Sequence, residues 1–333
     1  MTRRSDLPAA LRAARLPMVG SPLFIISNPD LVIAQCKAGV IGSFPALNAR
    51  EAPGEPPLLD AWLKRITEEL DRWNQANPDT PAAPYAVNQI VHKTNARLDR
   101  DVEICARWNV PIWITSLGAR TDVNDAAHAA GGIVLHDVIN DWFARKAIEK
   151  GADGLIAVAA GAGGHTGAQS PFALLHEIRT WFDGPVLLSG AIATGRALLA
   201  AQAAGADLGY VGSPFIATIE ANADPLYKQM IVDARAGDIV ATAGVTGVTG
   251  NYLRASFERA GTSVEALEAL GTQMSFGKER EERPKAWKEI WGAGQGVGAV
   301  EAVVPAAGLI DRIAREYRAA QARMQGLLAD WPV

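Results

Sequence analysis

The chain is expected to fold as an α/β protein, a TIM (β/α)8 barrel carrying a smaller helical accessory lobe. Three observations predict this. From Pro17 onward, short apolar runs alternate with segments of helical periodicity, the pattern of a parallel sheet with crossover helices. The runs lack polar alternation, as strands covered on both faces do, and Leu155, Ile156, Ala157 and Val158 are the clearest case. The strand–helix unit also recurs eight times in about 200 residues, more evenly than a doubly wound sheet.

Taken in order, the first strand is Pro17 to Ser21. Asn28 and Pro29 then open a helix as N-cap and first-turn residues, and it runs to Lys37 before Gly39. The second strand is Gly39 to Phe44. Residues 49–84 form a proline-rich insertion whose periodic part puts Leu58, Leu59, Trp62, Ile66, Leu70 and Trp73 on one helical face. Strands three to five are Tyr85 to Val91, Val110 to Ser116 and Gly132 to Val138. Their helices are Asn95 to Trp108, Asp122 to Ala130 and Asp141 to Lys150. The sixth strand ends in the glycine-rich GAGGHTG loop, followed by a helix from Pro171 to Trp181. The seventh is Pro185 to Ile192, with TGRALLAAQAAGA as its helix, and the eighth is Leu208 to Phe215. Beyond it the rhythm is lost. A helix is expected at Asp224 to Ala236, a Gly/Thr loop at Thr242 to Asn251, short helices at Val264 to Leu270 and Pro284 to Ile290, and a long amphipathic helix at Val300 to Leu328. The domain reading is therefore a barrel over 1–221, an accessory lobe over 222–300 and a terminal helix within 301–333.

Of the 333 residues, 49% are hydrophobic and 20% charged, a balance able to bury a sizeable core. The net charge of −4 gives no basic field for nucleic acid or an anionic membrane surface. The first residues are basic but carry no signal-like apolar segment, and no run of about 18 apolar residues occurs, so a cytoplasmic protein without a membrane span is expected. Cys36 and Cys105 lack CxxC or Cys/His spacing and read as small buried helix residues. The five histidines show no metal-ligand spacing, and no GxSxG elbow or ordered GxGxxG is present. The apolar side of the last helix, Leu309, Ile310, Ile313 and Tyr317, suits either its own barrel or a second copy of the chain in a homodimer.

In such barrels the active site forms at the carboxyl ends of the strands, and phosphate binds after strands seven and eight. Ser189, Gly190 and Ala191 follow strand seven, and Gly212 and Ser213 follow strand eight; they are candidates to cradle a phosphate, although glycine at a tight strand–helix turn is also ordinary. Gly163 and Gly164 let the backbone approach a flat ligand. His165, the one titratable side chain of its loop, suits proton transfer near neutral pH. Asn88 sits in an apolar strand and needs a partner. His136 reads either as a core histidine with its own partner or as a group facing substrate.

AGGHTG, SGAIATGRALLAAQAAGAD and GYVGSPFIAT, together with PMVGS, YAVNQIV and GAGQGVGAVEAVVPA, resemble the FMN-dependent nitronate monooxygenase (2-nitropropane dioxygenase-like) family in order and spacing. The resemblance covers most of Pro17 to Ala306 and implies FMN as cofactor and a TIM barrel with a helical lobe. By carry-over it implies Met18 as a backbone contact to the flavin ring and Asn88 as a polar contact at the ring's edge. Ser189 to Ala191 with Gly212 and Ser213 become the FMN phosphate cradle, Gln295 a contact from the lobe, and His165 the active-site base or acid. The implied reaction consumes an alkyl nitronate and O2 and yields a carbonyl compound and nitrite. Two departures stand out: relatives carry Gln and Glu near Ala160 and Gly161, and a lysine where this chain has Asp137. An NAD(P)H-dependent flavin reductase of quinones or enoyl thioesters is the alternative within flavin chemistry, and a phosphate-binding barrel without redox activity is the alternative outside it.

Overall fold

A computed structural model describes residues 4–269 and 288–330 of the chain. Eight parallel strands form the ring: β1 (Met18–Gly20), β2 (Gly42–Pro45), β3 (Tyr85–Ile90), β4 (Ile112–Ser116), β5 (Ile133–Val138), β6 (Gly154–Val158), then, beyond the two-residue β7 (Gly164–His165), β8 (Val186–Ser189) and β9 (Leu208–Val211). Their order is β1-β9-β8-β6-β5-β4-β3-β2, and a parallel bridge between Val19 and Ile41 joins the two ends. The expected barrel is thus what the strands build.

Helices α1 (Ala9–Arg12), α2 (Pro29–Lys37), α3 (Leu58–Ala76), α4 (Leu98–Arg107), α5 (Thr121–Ala129), α6 (Asp141–Glu149), α7 (Pro171–Arg179), α8 (Gly195–Ala203) and the short α9 (Ser213–Ile216) accompany the strands. Several are started by side chains that accept a first-turn N–H: Asn28 from Leu31, Asn140 from Phe143 and Thr194 from Ala197. Gly39 ends the exit from α2 in the left-handed region, at φ +89°, and Val40 N–H still bonds back to Gln35, so β2 begins at Gly42 instead of Gly39.

Two layers make the core. Val19, Ile41, Ala86, Ile114, Leu135 and Leu187 fill the barrel interior, and Leu7 and Leu11 close its lower end. Outside the ring, Val87, Trp113, Val134, Leu155, Val186 and Leu188 face the helices. The alternation along each strand assigns the layers. Below the ring one device is used twice. The tripeptide Gly-Ala-Asp occurs at 151–153 and at 205–207, each time with its glycine at positive φ. Each aspartate accepts the N–H of the strand before it, Asp153 from Val134 at 2.7 Å and Asp207 from Val186 at 2.8 Å. Asp207 also holds the Arg179 guanidinium at 2.7 Å.

The accessory lobe is not wholly helical. Besides α10 (Pro225–Asp233), α11 (Arg254–Arg259) and α12 (Val264–Ala269) it contains β10 (Ile239–Thr242) and β11 (Gly250–Leu253), an antiparallel ribbon bracketing what was expected as a Gly/Thr loop. β7 joins that ribbon, with Gly250 opposite His165. Leu270 and residues 284–287 of the helices expected there lie outside the described residues. Last, α13 (Ala306–Asp330) buries Leu309, Ile310 and Ile313 against its own barrel. It approaches α8 so closely that a Cβ on Gly195 would stand 2.0 Å from Tyr317 N, and Glu316 accepts the Gly195 N–H at 2.8 Å. That face is therefore spent within the chain. Among the described residues no helix is long and apolar enough to cross a membrane.

Candidate active site

A cavity of about 760 Å3 opens at the carboxyl ends of the strands. Its floor carries a hydrogen-bond chain across three neighbouring strands. Asn88 donates to Ser116 Oγ at 2.7 Å and to the Ile114 carbonyl at 3.1 Å, and Ser116 in turn donates to Asp137. The buried carboxamide thus has the partner it requires, and among the described residues nothing donates to its Oδ1. Asp137 also receives the Leu117 N–H, yet enclosure by the cavity walls pushes its carboxyl up to about 6. Its carboxyl faces the cavity, so part of its surface stays open. Tyr210 faces the same space; burial first and the Asp137 charge second hold its phenol well above the ordinary range.

One wall is the segment from Ala159 to Gly167, tied down on three sides. Gly161 O accepts Gln295 N–H at 2.9 Å, Ala162 O accepts the Asn251 amide at 2.7 Å, and Thr166 N–H reaches Thr249 O at 3.1 Å. Close packing demands glycine at two of its contacts: a Cβ on Gly163 would stand 2.6 Å from Gly294 N, and one on Gly294 would stand 2.6 Å from Gly161 O. His165 lines the cavity, with Nε2 3.2 Å from Thr246 Oγ1. Thr246 Oγ1 also lies 3.1 Å from Val248 O, so the hydroxyl ties the imidazole to the loop between β10 and β11. Burial lowers the imidazole's affinity for protons below the usual 6.5, which keeps it neutral at pH 7.

The facing wall follows β8 and β9. Ser189, Gly190, Ala191, Gly212 and Ser213 line the cavity together. Ser213 Oγ accepts the Gly294 N–H at 2.8 Å and retains its proton for a ligand, and the Ser189 hydroxyl has no protein partner among the described residues. Ala191 is held at φ +54°, strained for a residue with a Cβ, and Leu117, also on the lining, is at φ +63°. Such a set of neutral donors in the turns after β8 and β9 suits the phosphate of a flavin nucleotide, with Asn88 Oδ1 available to an imide N–H.

Three sequence expectations find other places. Met18 does not reach the cavity. Its N–H bonds to Leu16 O, its carbonyl accepts from Ile41, and its side chain packs outside the ring; Ser21, Pro22 and Leu23 form the lining instead. Gln295 contributes its backbone N–H to the Gly161 loop while its exposed side chain lies off the lining. His136 shares the outward face of β5 with Val134 and Val138, bonds to Thr115 Oγ1 at 2.6 Å, and is pushed down to about 4 by burial. It is a satisfied, neutral histidine on a side branch of the cavity, whereas Asp137, one residue on, is the one aimed at the barrel axis. Sequence reading also passed over Asn48. Its amide clasps the loop after β1, bonding Leu23 O at 3.0 Å, Ser27 O at 2.8 Å and Ile25 N–H at 2.8 Å, and so holds Ile25 at φ +69°. An asparagine just past a barrel strand was the available signal.

Comparison with known proteins agrees with this geometry. A nitronate monooxygenase from Paraburkholderia phytofirmans is 23% identical, the match covering 91% of this chain and 92% of the relative. Among solved structures, FabK from Thermotoga maritima superimposes with a TM-score of 0.71 at 24% identity, over 96% of this chain and 97% of the other. Nitroalkane oxidase from Streptomyces ansochromogenes does so with 0.72 at 22%, over 95% and 100%. Residues 10–316 match the nitronate monooxygenase family as a whole, and the chain belongs to that family of flavin-dependent oxidoreductases.

Proposed function

We propose that the protein binds FMN and catalyses the oxidative denitrification of alkyl nitronates, with His165 as the proton-handling group. The observation that carries this is the meeting, in one cavity, of the neutral imidazole of His165 with the hydroxyl and glycine cradle at Ser189–Ala191 and Gly212–Ser213. Bound there, FMN supplies the electron transfer that, with O2, converts a nitronate to a carbonyl compound and nitrite.

The chain's own residues do the rest. Ser189 and Ser213 would donate hydrogen bonds to the phosphate of the cofactor, and Asn88 Oδ1 would accept one from the polar edge of its ring. The neutral imidazole of His165 accepts the α-proton of a nitroalkane, and the imidazolium so formed holds the negative nitro oxygens. The apolar walls at Leu23, Ile90 and Leu117 exclude water from that exchange.

The test is a single preparation. It should be yellow, release FMN on denaturation, and form nitrite with O2 uptake when given a nitronate. Rapid anaerobic bleaching by NADH or NADPH without nitrite would instead establish the reductase, and a colourless protein that stays so with added FMN would end both.

A further inference from the structure

The cavity is not confined to the barrel mouth. Past the end of β5 it continues as a side arm along the flank of α6, lined by Ile139, Trp142, Phe143, Lys146, Ala147 and Lys150. Trp142, Lys146 and Lys150 are spaced by four and form one stripe of the helix, beside a second made by Phe143 and Ala147. Eight residues of helix at a rise of 1.5 Å give the arm a length of about 12 Å. The inner side is closed by Val138 and the outward-facing His136.

The near part of this arm is apolar and exposed: Ile139 is 42%, Trp142 61% and Phe143 45% accessible. Large apolar side chains scattered singly over a surface need no explanation, but three in contact with one cavity do. Trp142 and Phe143 hold each other edge to face, with ring centroids 4.9 Å apart, so the wall is set before anything binds. Ammonium groups come only further along, and Lys146 is paired there with Glu149 at 2.6 Å. A small nitronate would touch none of this.

We propose that the side arm binds an extended apolar chain of the substrate, so that the enzyme acts on long-chain alkyl compounds whose reacting carbon stands beside His165. The occupant is part of the substrate because the arm is continuous with the reaction cavity, its lining running unbroken from His136 and Val138 to Trp142 and Phe143. The proposal rests on reading the barrel mouth as the reaction centre.

The experiment uses the flavin-loaded enzyme and two straight-chain series, primary nitronates as substrates and n-alkanols from butanol to decanol as unreactive competitors. Alkanol affinity should rise about fourfold per methylene until the arm is full and then level off, and kcat/KM for the nitronates should follow. Trp142→Ser with Phe143→Ser removes the wall and should flatten that rise. Ile139→Trp narrows the entrance of the arm and should end the rise at a shorter chain; comparing long with short chains within each variant cancels any general loss of folded protein. Affinity independent of chain length, or an unchanged rise in both variants, would overturn the proposal. A rise for alkanols without nitronate turnover would sink the reaction while leaving the arm in place, and short-chain turnover without any rise would do the reverse.

Discussion

At the scale of single residues, protonation decides most of what the cavity can do. His165 is kept neutral by burial, so a base role makes kcat/KM fall as pH drops through a limb placed below 6.5. His165→Asn should retain FMN, lower turnover by about 10²–10⁴-fold and abolish that limb; unchanged turnover removes the imidazole from the mechanism. Asp137 titrates in the opposite sense for stability. Its carboxyl is raised from 3.8 to about 6, so the folded state favours the neutral form: the favourable contribution is complete below 3.8 and is lost as pH rises through 6. The groups bonded to it, the Ser116 hydroxyl and Leu117 N–H, are neutral and cannot offset the charge. Asp137→Asn should therefore raise stability at pH 8 by about 1–2 kcal/mol, a few degrees in melting temperature, and leave it little changed near pH 4. The place of His165 on the cavity lining was legible in sequence because a lone histidine in a glycine-rich loop at the carboxyl end of a strand has few other positions open to it. His136 was left open between a core position and one facing substrate, because adjacent strand residues point to opposite faces and the parity of β5 is fixed by its packing, with Leu135 inside and Val134 outside, and by nothing in the local letters.

Elements were read with most success where one physical signal sufficed. Apolar runs marked the ring strands, and Asn28 and Pro29 marked the start of α2. β7, β10 and β11 were missed because strands of two to four residues carry no periodicity, and the pairing of β7 with β11 spans 85 positions of the chain, from His165 to Gly250. The repeated Gly-Ala-Asp tripeptide was visible in the sequence, but its use as a clasp between successive strands was not. The two copies should differ in weight. The Arg179–Asp207 pair is 14% and 8% exposed, whereas His128 and Asp153 are 38% and 37% exposed. Asp207→Ala removes the counter-charge of a part-buried guanidinium that keeps only the carbonyls of Phe182, Gly184 and Gly205, and should cost about 2–3 kcal/mol in urea unfolding, against about 1 kcal/mol for Asp153→Ala. Equal losses would show that the strand N–H bond, common to both, is what matters.

In the whole molecule, the barrel and the lobe divide the work. The proposed phosphate cradle follows β8 and β9, while the imidazole sits on β7, a strand whose partner is β11 in the lobe. Inserting a short glycine linker after Gly247 should slacken that attachment. Turnover should fall by about 10²-fold with FMN content and melting temperature nearly unchanged; equal loss of flavin would show that the two functions are not separable. Separate moorings also bear on how such a chain diverges. On the proposed reading, drift within 236–269 would re-aim the imidazole without touching β8 and β9, so a lineage would explore new reactants while keeping its hold on the nucleotide at every step.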